Sequence, residues 1–378
     1  MGDRRWSRLV GAALVAALLV GCTDDGDDSG GAGATSTTAA GSAGAAAQPP
    51  GGGEGLLEQV RSRGRVRCGV NDAVPGFGIV DEAGKFSGFD IEFCRAVAAA
   101  VLGDANAVEF RPLTAAQRFT ALQSGEIDVL IRNTTWTATR DGSEGAAFAT
   151  TTFFDGQGMM VRADSGITSI EDMNGASVCV LSGTTTELNL ATRFTAGGLA
   201  LTPLSFEENE TLQEAFIAGQ CDGWTSDKSQ LAAVRSSFPD AQGGPEALVI
   251  LDETFSKEPL GPAVRDGDSR WLDAVNWTVI TTIGAEELGI SSENVDDQLQ
   301  SENPEVLRLL GQPVPPDNNV FDPGLGLEPD FAVEVIRQVG NYGEIYDRTV
   351  GAGSPLELER GLNALWTEGG LLYAPPYR

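Results

Sequence analysis

The chain has 378 residues, of which 41% are hydrophobic and 21% are charged, so it is long enough for roughly two domains with separate cores. Its net charge is -29, which argues against a nucleic-acid-binding surface, because such surfaces neutralise phosphates with Lys and Arg. Histidine is absent, which excludes Ser-His-Asp and Cys-His nucleophiles, His-ligated zinc and imidazole acid–base catalysis.

The beginning of the chain has the pattern of an export signal. Arginines precede an apolar stretch over 9–20, which is shorter than the ~20 residues that a membrane-spanning helix needs. The stretch runs into Leu19, Val20, Gly21 and Cys22, a sequence that resembles the lipobox of bacterial lipoproteins. We therefore predict a lipoprotein signal peptide over 1–21 and lipidation of Cys22; a plain secretory signal with a chance cysteine is the alternative.

Residues 22–55 are rich in Gly, Ala, Ser, Thr and Asp. Such a composition buries too little apolar surface to offset the entropy of ordering, so it predicts a disordered tether. A lipid on a long tether indicates an exported body that is anchored to the outer face of the cytoplasmic membrane, at the cell surface or in the periplasm.

The first part of the body alternates strands with helices. Period-two apolar residues predict strands over 65–70 and 126–131, with a shorter strand around 108–110. A helix is predicted from a cap at Asp90, and another from a capping box that begins at Thr114. This alternation is typical of an α/β domain with a largely parallel sheet.

A second α/β unit follows. Its predicted strands and helices cover 176–181, 184–187 (a second capping box), 201–206, 207–219, 221–224 and 248–251. From Asp268 onwards the spacing is helical. Two similar units indicate two lobes with a crevice between them, where ligands of open α/β sheets bind beyond the carboxyl ends of strands.

Four cysteines remain in the body, in an exported and therefore oxidising context: Cys68, Cys94, Cys179 and Cys221. Four cysteines allow three connectivities. We favour Cys68–Cys94 and Cys179–Cys221, since each bridge then stays within one lobe, and four buried free thiols remain the alternative.

Two segments carry groups that suit a small charged ligand. Segment 130–140 leaves a strand with hydroxyls, an amide and arginines, and 181–187 is a small-residue turn that opens a helix and suits an anion. The planar guanidinium of Arg140 matches a carboxylate, and Asp227 can accept hydrogen bonds from an ammonium. Together they would recognise the two charges of an amino acid zwitterion.

Each of these features also has a purely structural interpretation. Arg140 and Asp141 could form a surface ion pair. Asp227 could be only a helix N-cap, and Thr184 and Thr185 could be only capping residues. From the residues alone, the chain is a two-lobed binding module of undefined ligand.

Residues from about 56 to 300 resemble the solute-binding proteins of polar amino-acid ABC importers, which are bacterial extracellular solute-binding proteins of family 3. The segments that carry the resemblance are 88–91, 119–128, 137–140 and 182–185. The general L-amino-acid-binding branch is the most similar, through segments 74–77, 132–137, 154–158, 257–262, 340–345 and 361–366. The resemblance implies a periplasmic-binding-protein-like type II α/β fold with the ligand in the cleft between two lobes.

By the same resemblance, lobe 1 is discontinuous over 56–157 and 259–378, including a helical C-terminal extension, and lobe 2 covers 158–258. Two strands, near 155–160 and 259–264, form the hinge. The implied function is capture of free L-amino acids by hinge closure and delivery to the permease and ATPase subunits of an ABC transporter, without a cofactor, metal, nucleic acid or enzymatic turnover, and as a monomer.

The resemblance also implies roles for charged and polar residues. Arg140 holds the α-carboxylate of the ligand, and Thr184 and Thr185 contact that carboxylate from lobe 2. Asp227 takes the α-ammonium, and Asp72 adds a second anion near it.

Asn133 and Thr135 turn polar groups toward the ligand. Phe77 and Trp136 are the candidates for an apolar wall around its side chain, and core packing is the alternative for Phe77. The aromatic lid that is usual in the family aligns near Ala115 here.

Two other classes remain open at this stage. One is a cyclohexadienyl dehydratase-type enzyme of the same fold, which needs an acid or base in the crevice; Glu187 is the nearest candidate, although its capping-box role accounts for it. The other is a ligand-sensing module for a receptor.

Overall fold

The computed structural model describes residues 55–378, so the predicted signal peptide, the lipidation site at Cys22 and nearly all of the predicted tether lie outside the described residues. The α-helices are α1 (Leu56–Arg63), α2 (Phe89–Leu102), α3 (Arg118–Ser124), α4 (Ala138–Gly142), α5 (Thr185–Gly197), α6 (Asn209–Ile217), α7 (Lys228–Ser236), α8 (Ser269–Glu287), α9 (Val295–Gln298), α10 (Pro304–Leu309), α11 (Phe331–Val339) and α12 (Tyr342–Thr349).

The strands are β1 (Val66–Val70), β2 (Ala73–Val74), β3 (Gly78–Val80), β4 (Phe86–Ser87), β5 (Val108–Pro112), β6 (Val129–Leu130), β7 (Ala146–Phe148), β8 (Phe153–Asp155), β9 (Gln157–Arg162), β10 (Ser177–Leu181), β11 (Thr202–Phe206), β12 (Gly223–Asp227), β13 (Leu248–Ile250), β14 (Glu258–Leu260), β15 (Ala263–Arg265), β16 (Pro313–Val314) and β17 (Asn319–Val320). A small sheet, β2-β3-β4, and the hairpin β16-β17 stand apart from the two larger sheets.

The sheet of the first lobe has the strand order β5-β1-β6-β15-β7. β1 pairs in parallel with β5 and β6, whereas β15 runs antiparallel to β6 and β7. Val66, Cys68 and Val70 of β1 are fully buried, as expected for a central strand with helices packed over its faces. The carboxyl ends of β1 and β6 therefore open at the same edge of the sheet.

Helix α2 is apolar on most of its surface because it lies between this sheet and the C-terminal helices. Its N-cap is Gly88 and not the predicted Asp90, which lies in the first turn. At Gly88 φ is +130°, and a Cβ there would lie 2.3 Å from the carbonyl oxygen of Phe77, so only glycine fits. The Asp90 carboxylate is thus free for a tertiary hydrogen bond.

The sheet of the second lobe repeats this plan with the order β11-β10-β12-β9-β13. β10 is parallel to β11 and β12, and β9 is antiparallel to β12 and β13. Two clusters of buried side chains lie on its faces, one of which includes the large ring of Trp224. The prediction of two α/β units in succession is confirmed.

The chain passes between the lobes along β8 and β14, which pair with each other in an antiparallel ladder. Asp155 is opposite Glu258, Phe154 opposite Pro259 and Phe153 opposite Leu260. Two lobes joined by two strands match the predicted periplasmic-binding-protein-like type II fold, and this fold class is confirmed.

The predicted helical region after Asp268 is also confirmed. The Asp268 side chain accepts a hydrogen bond from the Trp271 N–H at 3.0 Å and caps α8. Helices α8, α11 and α12 contribute to the core of the first lobe, where the Tyr342 and Tyr346 rings are fully buried. None of the helices over 55–378 is long and apolar enough to cross a membrane.

Both favoured disulfides are present. Cys68–Cys94 ties β1 to α2 in the first lobe, with Cα atoms 6.1 Å apart. Cys179–Cys221 ties β10 to the segment before β12 in the second lobe, with Cα atoms 5.6 Å apart. Each bridge therefore stays within one lobe, as expected.

Candidate functional site

Side chains from both lobes converge on a small cavity of about 20 Å³, which has room for about one or two water molecules. The residues that line it are Asn71, Arg118, Arg132, Asn133, Thr135, Leu181, Thr184, Thr185, Thr186, Asn209, Ser226, Asp227 and Gln230. Five of the predicted binding residues are among them. Nearly all of the lining is polar, which suits a small hydrophilic ligand.

Asn133 reaches the cavity from the segment after β6. Its backbone has a φ of +30°, and its N–H donates to the buried Asp90 carboxylate at 2.7 Å. Its side-chain oxygen accepts from the Asn71 amide at 2.6 Å, and its Nδ2 donates to Asp227 Oδ2 across the lobes at 3.2 Å. Asp90 therefore positions the part of the first lobe that contacts the second.

Burial raises the pKa of Asp90 to about 7, although the Asn133 N–H and the positive charge of Arg132 oppose this shift. The carboxyl is 3% exposed. The sequence suggested only a helix cap here, because the contact with Asn133 joins positions distant in the chain.

Thr135 and Thr185 meet across the cleft, with their hydroxyl oxygens 3.2 Å apart. Both donate to Glu258 Oε2, at 2.7 Å and 2.8 Å respectively. Asn189 donates to the other oxygen of Glu258 at 2.9 Å, and the Ser256 hydroxyl also bonds it. Glu258, on hinge strand β14, thus joins the two lobes at the cavity wall; sequence reasoning did not identify it.

Asp227 lies at the end of β12 and is 5% exposed. It occupies the N-cap position of α7, but its side chain makes no capping bond there, and Gln230 accepts a hydrogen bond from the Ser226 hydroxyl instead. Capping therefore does not account for its carboxylate. Burial and the nearby charges of Asp155 and Glu258 raise the pKa of Asp227 well above its usual value. An ammonium group brought to this carboxylate would relieve that penalty.

Thr184, in contrast, does cap helix α5. Its hydroxyl accepts from the Glu187 N–H at 3.1 Å and donates to the Leu181 carbonyl at 2.6 Å. Glu187 accepts from the Gly183 N–H at 3.0 Å and from the Ser205 hydroxyl at 2.8 Å, so its carboxylate is engaged within the second lobe. Thr184 contributes to the cavity wall while it fixes the helix N-terminus there.

Arg140 is 5% exposed, and its alternative as a surface ion pair with Asp141 is wrong. Its Nη1 donates to the Thr135 carbonyl at 2.8 Å, and its guanidinium carbon lies 5.2 Å from the centre of the Phe119 ring. No carboxylate among residues 55–378 forms an ion pair with it, and burial lowers its pKa. Arg140 therefore lies directly behind Thr135 and not in the lining itself.

Arg118 and Arg132 are the principal lining residues that the sequence analysis missed. They are 3% and 4% exposed. Arg132 lies within segment 130–140, and Arg118 is the first residue of α3, the helix predicted from the capping box at Thr114. Their signal in the sequence was a charged residue next to buried apolar ones, which is too common to be diagnostic.

A second cavity of about 300 Å³ adjoins the first and shares Asn71, Arg132 and Asn209 with it. The predicted Asp72 is exposed and lines this outer cavity, away from Asp227. The acidic residues in the outer wall are Asp72, Glu207, Glu208 and Glu210.

The two residues proposed as an apolar wall lie elsewhere. Phe77 is 1% exposed and packs edge-to-face against Phe89 and Phe153 in the first-lobe core, so its assignment to the ligand is wrong. Trp136 is 43% exposed and stacks on Phe148, outside both cavities. Ala115, at the position of the aromatic lid, is buried against the second-lobe cluster, so no ring stacks from that position.

Comparisons with known proteins agree with this geometry. The family of bacterial extracellular solute-binding proteins, family 3, matches residues 66–289. The chain is 49% identical over 322 residues to the general L-amino acid-binding periplasmic protein AapJ of Rhizobium johnstonii, covering 85% of this chain and 92% of that protein.

Two further proteins are similar at comparable levels. The glutamate/glutamine/aspartate/asparagine-binding protein BztA of Rhodobacter capsulatus is 46% identical over 323 residues, which are 85% of this chain and 93% of that protein. A solved structure of an ABC transporter periplasmic binding protein from Brucella ovis, with glutathione bound, has a TM-score of 0.81 and 47% identity. It covers 86% of this chain and 100% of the other.

Proposed function

Since this chain belongs to the bacterial extracellular solute-binding proteins of family 3, we propose that it captures free L-amino acids outside the cytoplasmic membrane and delivers them to the permease of an ABC importer. The observation that carries the proposal is the convergence of buried charges of both signs, Asp227 and the arginines, on one cavity between two lobes. Such an arrangement suits a small zwitterion, because buried charges need partners.

In the proposed complex, the α-ammonium takes the place of the Asn133 amide on Asp227. The α-carboxylate lies near Thr135 and Thr185, with Arg140 supplying positive charge from behind Thr135. The ligand thereby replaces direct bonds between the lobes with bonds that pass through itself. The cavity of about 20 Å³ must widen to admit an amino acid, and this requires the lobes to separate.

Separation and closure are proposed to occur about the β8–β14 ladder. Strand β8 leads into the second lobe and β14 leads out of it, and no other strand pair among residues 55–378 has this arrangement. A ligand favours the closed form only through contacts that the open form lacks. Contacts to residues of both lobes meet this condition. The closed, loaded protein then docks on the permease, whose ATPase subunits drive import.

The protein is proposed to act as an exported lipoprotein. Cys22 would hold the lipid, and the residues that follow it would act as a linker between the membrane and the folded body. A Cys22→Ser variant is expected to move from the membrane fraction to the soluble fraction. If the variant stays with the membrane, anchoring through Cys22 is wrong.

A thermal-shift screen with the twenty amino acids tests the ligand class. A ligand at one hundred times its Kd stabilises the native state by about 2.7 kcal/mol, which gives a clear rise in Tm. We expect several L-amino acids to raise the Tm and their D-enantiomers to do so far less. If none does, the proposal of an amino-acid ligand fails.

We propose binding without chemical turnover. Glu187, the candidate acid or base, already accepts two hydrogen bonds at the helix terminus and does not line the cavity. Chromatography of a bound amino acid after long incubation is expected to recover it unchanged. Recovery of a dehydrated product would instead support a dehydratase.

A further inference from the structure

The side chain of Asn363, in the C-terminal extension that follows the family match, bonds the backbone of hinge strand β8. Its Oδ1 accepts from the Phe154 N–H at 2.6 Å, and its Nδ2 donates to the Phe154 carbonyl at 3.1 Å. Asn363 is 4% exposed, so both bonds are made in a buried environment. Across the ladder, Phe154 is opposite Pro259, which has no N–H to donate. The Asn363 amide therefore satisfies both backbone groups of the middle residue of β8, as a neighbouring strand would.

Arg360 fastens this segment to the core of the first lobe. Its Nε donates to the Asn363 carbonyl at 2.8 Å, and its two Nη atoms donate to the two oxygens of Glu286, on α8, at 3.0 Å and 3.1 Å. The guanidinium carbon lies 5.1 Å and 4.9 Å from the ring centres of Tyr342 and Tyr346, on α12. A two-pronged contact between Arg and a carboxylate fixes orientation as well as position. The backbone that carries Asn363 is thus held against two helices of the first lobe.

The same two tyrosines hold the residues that lead into the middle of β8. The Tyr342 hydroxyl donates to the Thr152 carbonyl at 2.8 Å. The Tyr346 ring stacks on Phe153, with 6.0 Å between the ring centres, and both tyrosine rings are fully buried. Three successive residues, 152–154, are therefore each fixed to the C-terminal extension.

The chain becomes part of the second lobe shortly afterwards. Gln157, the first residue of β9, is fully buried, and its Nε2 donates to the Thr186 carbonyl of the second lobe at 2.8 Å. Only Asp155 and Gly156 stand between Phe154, fixed to the first lobe, and Gln157, fixed to the second. A hinge works through a few residues whose backbone dihedral angles absorb the rotation. On this strand, the rotation has two residues to use.

We propose that Asn363 is a positioning residue for hinge closure: it fixes Phe154 to the first lobe and confines the bending of β8 to Asp155 and Gly156. The proposal rests on the hinge closure proposed above. A strand that is already fixed as far as Phe154 loses less freedom when the lobes close, because ordering the backbone of each residue costs entropy. Asn363 thereby favours closure on every ligand by the same factor.

Hydrogen exchange of the ligand-free protein tests the contact itself. The matched control for Asn363→Ala is Asn294→Ala, in the same extension, where the side chain also accepts from one backbone N–H, that of Ser291, and donates to one carbonyl, that of Gly289. We expect Asn363→Ala to speed exchange of the backbone amides of 153–157 at least 10-fold, and Asn294→Ala to leave them at the wild-type rate. No increase in Asn363→Ala, or an equal increase in both variants, would overturn the proposal. Asn363→Asp, which keeps the shape and the acceptor but loses the donor, gives the same comparison if the alanine variant does not fold.

Titration calorimetry tests the effect on closure, with L-glutamate, L-glutamine and L-leucine as probes. For each probe that wild type binds, we expect Asn363→Ala to lower the affinity by the same factor, about 5–30-fold, which corresponds to ordering the backbone of one more residue. Asn294→Ala should change none of the affinities. An unchanged affinity in Asn363→Ala, or losses that differ between the probes, would overturn the role in closure. If wild type binds none of the three, the proposed function fails instead, and the exchange rates still decide whether Asn363 fixes β8.

Discussion

Asn133 of the first lobe donates its side-chain amide to the Asp227 carboxylate of the second lobe, with 3.2 Å between Nδ2 and Oδ2. This bond joins the lobes at the position where the zwitterion's ammonium is proposed to bind. A neutral amide compensates the buried carboxylate only in part, since the pKa of Asp227 remains raised. The contact with Asn133 is thus a weaker version of the one that the ammonium is proposed to make.

Replacing Asp227 by Asn should abolish the preference for an ammonium without weakening the fold. We expect Asp227→Asn to weaken amino-acid binding by about 2–5 kcal/mol, the range for truncating one partner of a buried charge pair. The free energy of unfolding of the ligand-free protein should stay the same or rise, because repulsion from Asp155 and Glu258 is removed. Calorimetry and urea unfolding measure both, and Asp164→Asn, on an exposed residue, is the matched control.

If Asp227→Asn and Asp164→Asn bind amino acids equally well, Asp227 does not hold the ammonium.

Removing the Arg140 side chain should weaken binding of all amino acids alike. We expect Arg140→Ala to cost about 2–5 kcal/mol of binding free energy for glutamate, glutamine and leucine, because they share the α-carboxylate. Calorimetry with the three ligands checks that the loss is the same for each of them. An unchanged affinity would remove Arg140 from the site.

The raised pKa of Asp90 should make the free energy of unfolding decrease as the pH rises. Its pKa is about 7 in the folded chain, above the ~3.9 of an unfolded Asp, so the folded state keeps a proton that the unfolded state releases between these values. The free energy of unfolding should therefore decrease from pH 4 to 7, by at most about 1.4 kcal/mol per pH unit from this group.

Chemical denaturation of wild type and Asp90→Asn across that interval isolates the effect, since Asp155, whose pKa is raised to about 6 by burial, titrates in both proteins. The difference in stability between the two proteins should change steadily with pH. Parallel curves would contradict a raised pKa at Asp90.

Glu258 should support both the fold and the site. Glu258→Ala leaves the donors of Thr135, Thr185 and Asn189 without their acceptor. Thr135 is buried, and a buried donor left unsatisfied costs about 1–3 kcal/mol. We expect Glu258→Gln, which keeps one acceptor oxygen, to lose less stability than Glu258→Ala. Urea unfolding measures the difference, with the exposed Glu246→Ala as control. Equal stability of Glu258→Ala and Glu246→Ala would show that the hinge does not depend on these bonds.

Local sequence patterns predicted the features that depend on neighbouring residues. Period-two runs located β1 and β10, and the Thr184 cap located the start of α5. The two-lobe arrangement predicted both disulfides, because the two cysteines of each pair lie in the same lobe.

Features that depend on packing between distant segments were missed or misplaced. The bond from Asn133 to Asp90 and the burial of Arg118 against the second lobe leave no periodic signal. Phe77 was placed at the ligand by resemblance, yet its ring is enclosed by Phe89 and Phe153. Composition could show the excess of acidic residues but not where the few buried cations gather.

The most direct test is a crystal structure of the protein grown with L-glutamate. The electron density should show the ligand between the lobes, its ammonium within hydrogen-bond distance of Asp227, and its α-carboxylate near Thr135 and Thr185. Density for glutamate outside the cleft, or an empty cleft at saturating glutamate, would contradict the account.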